Sequence, residues 1–188
     1  IPKSTRPSLD LRCYGPSILS HQNLNDLGTD LDMIMLDYPA NDCPSIQGQW
    51  AAFEQMLHNK TTKSIAVSNF TPKQLSCIPS NATVPAVNQL PYSVGHGSDT
   101  SVMDNKNHGN ILVQAYSPLG SGSILSDKDC IAFGKIYNKT SAQIALRWII
   151  QRNASFTTSA SSLIHFQEDL NIFDFELTMN QMKVLNAK

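Results

Sequence analysis

The 188 residues include 14 lysines and arginines against 15 acidic residues, a formal net charge of −1. Apolar residues make up 41% and charged residues 15%, so the chain can bury a core and is not a disordered polyelectrolyte. The lack of a basic block argues against a nucleic-acid-binding protein, whose affinity comes from neutralising phosphates. No apolar run reaches about 18 residues, so the sequence predicts no membrane span.

Five short apolar runs, each followed by polar residues, are typical of buried strands. They cover residues 31–36, 64–70, 85–90, 111–116 and 154–160. Between the first two runs, residues 46–57 place apolar side chains at helical spacing, and Ser45 is the expected N-cap.

Three further helix starts have local signals. Thr71 followed by proline predicts a helix after the second strand. A capping box at Thr140 predicts a helix over residues 140–152, and Thr178 is the expected cap of a last short helix. Residues 98–107 offer little apolar surface, so any helix there is expected to be short.

Strands separated by helices form parallel sheets, because a parallel connection must cross back along the sheet. Two α/β architectures fit. A doubly wound sheet would usually carry a glycine-rich phosphate turn after its first strand, and the sequence has none there. A (β/α)₈ barrel needs about 250 residues, so this chain would supply about five of its units.

Polar side chains end each of the five predicted strands. The positions are Asp37 with Tyr38, Ser68 with Asn69, Asn88 with Gln89, Tyr116 with Ser117, and Ser159. One interpretation is that each group caps its strand and meets water. The other is that they converge on a ligand, because in a βα barrel the ligand lies at the carboxyl ends of the strands. Amides can pair with a ligand amide, and a tyrosine ring can stack on a flat ring.

Six segments occur in the order GTDLDMIMLDYP, IAVSNFTPKQL, PAVNQLPYS, ILVQAYSPLGSG, TSAQIALRWIIQRN and EDLNIFDFELT. Together they resemble successive blocks of the aldo-keto reductase family over nearly the whole chain. The resemblance implies a (β/α)₈ barrel that binds NADP(H) and reduces carbonyl compounds. Residues 1–188 would form one partial barrel domain. Its open edges at 31–36 and 154–158 are expected to pair with residues missing from the chain or with another chain.

The resemblance also implies roles for the strand-end residues. Ser68 and Asn69 would hold the nicotinamide carboxamide, with Gln89 beside them, and Tyr116 would stack on the nicotinamide ring. The residues expected to line the pyrophosphate are Ser117, Leu119 and Ser121.

The catalytic positions depart from the family pattern. Where the family places a histidine that orients the carbonyl, this chain has Asp37. An ionised aspartate cannot donate a hydrogen bond to the carbonyl, whereas an aspartate protonated by burial can. The family's catalytic aspartate and tyrosine, and its lysine, precede the residues matched here; Lys3 is the only alternative for the lysine.

The adenosine end departs as well. At positions where the family has a lysine and an arginine for the 2′-phosphate, the chain has Ser159 and His165, and Asp169 replaces an asparagine. NADPH binding is therefore expected to be weakened, and NADH binding less so. Glu168 is kept and is expected to bind the adenine amine.

Three functions remain open. The first is a nicotinamide-dependent oxidoreductase acting on a small carbonyl substrate. The second is a catalytically inactive pseudoenzyme that serves as a structural or regulatory subunit. The third is a non-redox enzyme that uses Asp37 as an acid or base.

The cysteines and the asparagine triplets bear on compartment. The four cysteines lack metal-ligand spacing and are expected to be separate thiols in a reducing compartment such as the cytoplasm. Five Asn-x-Ser/Thr triplets begin at Asn59, Asn69, Asn81, Asn138 and Asn153, and they are interpreted as chance. No targeting segment is visible, and the first residue is isoleucine, so we expect either a processed chain or part of a longer one.

Overall fold

A computed structural model of the chain describes residues 28–96 and 99–188, and these residues contain a five-stranded sheet. Every neighbouring pair of strands is parallel, and the order in the sheet follows the order in the chain. This confirms the predicted α/β fold with about five βα units. The strands are β1 (Leu31–Leu36), β2 (Thr62–Ser68), β3 (Val87–Pro91), β4 (Leu112–Tyr116) and β5 (Ser155–Phe156).

Helices connect the strands, as the alternating pattern predicts. They are α1 (Cys43–His58), α2 (Pro72–Leu75), α3 (Asp99–Asn107), α4 (Lys128–Tyr137), α5 (Ser141–Gln151), α6 (Leu163–Leu170) and α7 (Met179–Asn186). A 3₁₀ segment, Gly120–Ser126, follows β4. Two of these helices, α4 and α6, were not predicted from the sequence. Among the described residues α6 buries none of its side chains, so its apolar side chains do not contribute to the core of the sheet.

The helix caps test the local predictions. The predicted caps at Thr71 and Thr178 and the predicted capping box at Thr140 are confirmed, and in all three the threonine pairs with a glutamine three residues later. The prediction of Ser45 as a cap is wrong: the Asp42 carboxylate accepts the backbone N–H of Ser45 at 2.8 Å and begins α1 at residue 43.

Two apolar clusters lie between the sheet and the helices. One joins α1 to β2 and includes Trp50, which stacks on Phe53 at 6.3 Å between ring centroids. The other joins β4 to α5 and includes Tyr92 and Trp148, stacked at 5.1 Å. Buried aromatic rings therefore hold the helices against the strands and fix the positions of the strand ends.

A disulfide joins Cys43, the first residue of α1, to Cys77 just after α2, with 5.0 Å between their Cα atoms. The prediction of four separate thiols is therefore wrong for this pair. Sequence spacing could not show it, because the two residues lie 34 positions apart and meet only in the folded chain. Cys130 is a buried thiol, and Cys13 lies outside the described residues.

The outer sides of β1 and β5 have no partner strand among residues 28–96 and 99–188. After β5 in the chain, helix α6 exposes Leu163, Ile164, Phe166 and Leu170, each by more than half of its surface. Open edges and an exposed apolar helix occur together, as expected where a sheet continues into further structure.

Candidate functional site

Four polar residues lie side by side across four strands. Ser68 pairs in register with Gln89, Gln89 with Gln114, and Gln114 with Ser155. Because register partners in a parallel sheet point to the same face, the four side chains form one polar layer. The amide of Gln89 donates to the Gln114 carbonyl oxygen Oε1 at 2.7 Å, and the Ser155 hydroxyl is buried without a described hydrogen-bond partner.

Asn69 and Tyr116 connect the ends of β2 and β4 across the end of β3. The Tyr116 hydroxyl donates to Asn69 Oδ1 at 3.0 Å, and the Asn69 amide donates to the Ser68 hydroxyl at 3.1 Å and to the Asp37 carbonyl at 3.2 Å. Asn69 has a φ of 62°, a left-handed conformation that asparagine tolerates better than most residues. This turn carries its side chain over the sheet.

Asn88 does not belong to this group. Its side chain is fully buried, donating to the Phe70 carbonyl at 2.8 Å and to Asn105 Oδ1 at 2.9 Å. Adjacent strand residues point to opposite faces of the sheet. Asn88 and Gln89 therefore cannot both reach the mouth, the carboxyl end of the sheet where Ser68, Asn69 and Tyr116 meet. The suggestion that Asn88 binds a ligand amide is therefore wrong, and its role is to tie the turn after β2 to α3.

The loop after β4 turns sharply at the strand end. Ser117 and Ser121 have φ angles of 51° and 53°, and both side chains are exposed. Between them, Leu119 at φ −102° and Gly120 at φ 55° form a right-handed to left-handed pair of the kind that makes anion-binding nests. The Leu119 side chain instead packs against the apolar cluster of β4 and α5.

A cavity of about 660 Å³ opens beside this loop. Tyr116, Ser117 and Ser121 line it from one side, and the turn after β3 lines it from the other. At its rim, Lys188 Nζ lies 2.7 Å from a carboxylate oxygen of both Asp127 and Asp129. Burial works to raise the pKa of Asp127, but hydrogen bonds from Lys188 and Cys130 hold that pKa below its ordinary value. The hydrogen bonds that Lys188 donates to Asp127 and Asp129 raise the pKa of Lys188.

Asp37 follows β1, and its side chain is exposed. Its backbone carbonyl accepts the Asn69 amide, so the residue adjoins the polar group at the mouth. The burial that a neutral, hydrogen-bond-donating aspartate would need is not provided by the described residues.

The residues predicted at the adenosine end lie on and before α6. Ser159 and His165 are exposed, and the backbone N–H of His165 is capped by the Ser162 hydroxyl at 3.2 Å. Burial and the neighbouring Glu168 raise the pKa of Asp169, against the effect of His165. The segment from 159 to 169 carries two carboxylates and neither lysine nor arginine, so its charge does not favour a phosphate dianion.

Two residues of the polar layer escaped the sequence reasoning. Gln114 lies two residues before Tyr116 and therefore on the same face of β4. Strand periodicity alone could have predicted that the two side chains share a site. Ser155 could not be placed, since β5 is only two residues long. Lys3 lies outside the described residues. Among those described, no group of three or more histidine, cysteine or acidic side chains could hold a metal ion, and no helix is long and apolar enough to cross a bilayer.

Comparison with known proteins identifies relatives of this chain. Residues 20–188 match the Aldo/keto reductase family. An aldo-keto reductase of Mycobacterium leprae is 31% identical over 166 residues, which cover 87% of this chain and 58% of the relative. One from Mycolicibacterium vanbaalenii is 33% identical over 167 residues, covering 88% and 60%. The chain thus spans about 60% of the length of these relatives.

Solved structures agree with this assignment. The aldo/keto reductase from Brucella melitensis superposes with a TM-score of 0.82 at 26% identity, covering 91% of this chain and 66% of the other. A mutant of Gox0644, solved in complex with NADPH, superposes with a TM-score of 0.84 at 23% identity, covering 91% and 64%. At that identity, the second comparison speaks for the fold alone.

Proposed function

Because the chain belongs to the aldo/keto reductase family, we propose that it forms the cofactor-binding part of a nicotinamide-dependent oxidoreductase that reduces a small carbonyl compound. The single observation that carries the proposal is the bonded group at the mouth: Ser68, Asn69, Gln89 and Tyr116, from three neighbouring strands. When bound, the cofactor would supply the hydride.

The mouth residues suit a primary carboxamide. Asn69 Oδ1 accepts the Tyr116 hydroxyl and has a second lone pair for an incoming amide N–H. The Ser68 hydroxyl donates to the Gln89 carbonyl at 3.1 Å, and its oxygen accepts from Asn69, so the group is held in position before a ligand arrives. In the proposed complex the Tyr116 ring would stack on the nicotinamide, and Ser117, the backbone at Leu119 and Ser121 would surround the pyrophosphate.

The adenosine end fits a cofactor without a 2′-phosphate better than one with it. The exposed Ser159 and His165 lie in the same segment as Glu168 and Asp169, and residues 159–169 contain neither lysine nor arginine. Charge-assisted hydrogen bonds contribute about 1.5–3 kcal/mol each, so losing two of them weakens NADPH by orders of magnitude. We therefore propose weakened NADPH binding and a preference for NADH, with Glu168 on the adenine amine.

Catalysis in this proposal needs residues beyond the described ones. No residue of the described chain takes the place of the family's catalytic tyrosine, lysine and aspartate, and the carbonyl-orienting position is held by Asp37. We propose that upstream residues, or another chain, complete the barrel along β1 and β5, supply these groups and cover the exposed apolar face of α6. Residues 1–188 would then belong to one barrel domain.

A second candidate is a pseudoenzyme that keeps the barrel as a structural or regulatory subunit. It is favoured by the exposed Asp37 at the orienting position and by the missing cations at the adenosine end. Both features lower the expected turnover without disturbing the fold.

Calorimetric titration of the full-length polypeptide with NADH and with NADPH separates these candidates. The oxidoreductase predicts micromolar NADH binding, weaker NADPH binding, and NADH-dependent loss of a carbonyl substrate. If neither nucleotide binds at millimolar concentration, the result favours the pseudoenzyme over the oxidoreductase. Asn69→Ala should weaken NADH binding by about tenfold through loss of the amide contact, whereas Asn180→Ala, on the exposed face of α7, should leave it unchanged.

A further inference from the structure

The disulfide between Cys43 and Cys77 bears on where the chain matures. A hydrogen bond joins the same two segments, because the Gln47 amide of α1 donates to the Cys77 carbonyl at 3.2 Å. Disulfides persist in oxidising compartments and are rare where glutathione and thioredoxin keep thiols reduced. The expectation of a reducing compartment rested on four thiols, and two of these are joined.

The asparagine triplets provide an independent observation. Four of the five acceptor asparagines are exposed: Asn59, Asn81, Asn138 and Asn153. Among the described residues none of these four side-chain amides makes a hydrogen bond, and none of the triplets has proline at its second position. N-linked oligosaccharides are bulky and need surface sites of this kind.

Three of the four exposed acceptors precede strands and so lie toward the amino ends of the strands. Asn59 precedes β2, Asn81 precedes β3 and Asn153 directly precedes β5. Since the strands are parallel, residues that enter the strands lie at the amino ends, opposite the mouth. Oligosaccharides at these positions would leave the mouth open. Asn138, at the end of α4, lies in the outer helical layer.

Asn69 is the exception that makes the pattern testable. It begins a triplet too, but its amide nitrogen donates both hydrogens, to Ser68 and to the Asp37 carbonyl. Attachment of a sugar would replace one of these hydrogens and fill the mouth. The triplet at Asn69 is therefore incompatible with the folded site.

We propose that the chain matures in an oxidising, glycosylating compartment, with N-linked oligosaccharide on one or more of the exposed asparagines 59, 81, 138 and 153 and none on Asn69. In the transfer, the amide nitrogen bonds to C1 of an oligosaccharide carried on a lipid diphosphate. The C1–O bond breaks, the diphosphate leaves with the bonding electrons, and it takes up the proton that the nitrogen loses. The disulfide forms when the two thiols pass two electrons and two protons to the disulfide of an oxidoreductase.

The test uses the full-length protein isolated from the cells that make it. A peptide-N-glycosidase in heavy-oxygen water converts each glycosylated asparagine to aspartate bearing the heavy oxygen, and a sample without the enzyme controls for spontaneous deamidation. Peptide mass spectrometry after alkylation without reduction reports whether Cys43 and Cys77 are linked. We expect enzyme-dependent label on at least one of the four exposed asparagines, no label on Asn69, and a linked cysteine peptide.

The proposal would be overturned by any one of three results: none of the four exposed asparagines carries label, Asn69 carries label, or Cys43 and Cys77 are both alkylated. Substitution supplies a second measurement: Asn59→Gln and Asn81→Gln should each remove the mass of one oligosaccharide wherever that site is labelled. The matched change Asn180→Gln, at an exposed asparagine outside any triplet, should leave the glycan mass unaltered. The outcome does not depend on nucleotide binding, so it can fail or succeed separately from the proposed oxidoreductase.

Discussion

The pair formed by Gln89 and Gln114 offers a sharp test of the polar layer. Gln89 Nε2 lies 2.7 Å from Gln114 Oε1, and both side chains are half-buried. Gln114→Met keeps the length of the side chain but leaves the Gln89 amide without this acceptor. An orphaned polar group costs about 1–3 kcal/mol, whereas replacing both partners by apolar groups of similar shape is nearly neutral. Gln114→Met should therefore destabilise the protein, and the double variant with Gln89→Met should recover most of the loss.

Urea unfolding of the full-length polypeptide measures this effect. With a urea dependence of about 2 kcal/mol per molar, the single variant should unfold at a urea concentration lower by roughly 0.5–1.5 M. The double variant should return to within about 0.5 M of the parent. Gln55→Met, at an exposed position of α1, controls for the substitution itself.

Nucleotide binding should respond differently. In the proposed function the Gln89 amide stands beside the nicotinamide carboxamide, so Gln89→Met should weaken NADH binding by about five- to tenfold. The double variant should remain weak although its stability recovers. If the costs of the two single changes simply add in the double variant, the pair is not coupled and the layer does not act as described.

Three further predictions follow from other contacts. Cys43→Ser opens a link that spans 34 residues and should lower the free energy of unfolding by about 4 kcal/mol in the chain-entropy model; equal urea midpoints would contradict it. Ser159→Lys combined with His165→Arg should raise NADPH affinity by at least tenfold in calorimetry and leave NADH within about twofold; equal gains for both nucleotides would show that the position does not meet a 2′-phosphate. Lys188→Met removes the stabilisation from the ion pair with Asp127. At low pH that stabilisation is present above pH 3.8 and is lost as pH falls through the lowered pKa of Asp127. At high pH it is present below pH 10.5 and is lost as pH rises through the raised pKa of Lys188. The difference in stability from the parent should therefore be flat between these limits, and a difference that vanishes near neutrality would contradict the assignment.

The elements that the sequence predicted best are those set by local chemistry. The capping boxes at Thr71, Thr140 and Thr178 depend on four residues each, so no tertiary information was needed. The start of α1 was misplaced although Pro44, a residue favoured in the first helical turn, indicated a start near Asp42.

The site divides in the same way. Strand periodicity alone separates Asn88 from Gln89 and joins Gln114 to Tyr116, so these assignments were within reach of the sequence. The disulfide and the ion pair between Asp127 and Lys188 were not, because they join residues 34 and 61 positions apart. Such contacts depend on how the βα units stack, which no local pattern specifies.

Among the described residues the two unpaired edges of the sheet differ in length, and this has a consequence for association between copies. β5 offers two residues to an added strand, whereas β1 offers six. Where no upstream residues or second chain pair with it, β1 is therefore the edge more open to intermolecular strand addition, and its Asp32 forms an exposed ion pair at 2.7 Å with Lys63 of β2. Charged side chains at an edge discourage such addition. Neutralising this pair should therefore make β1, where it is unpaired, more prone to strand addition between copies of the chain.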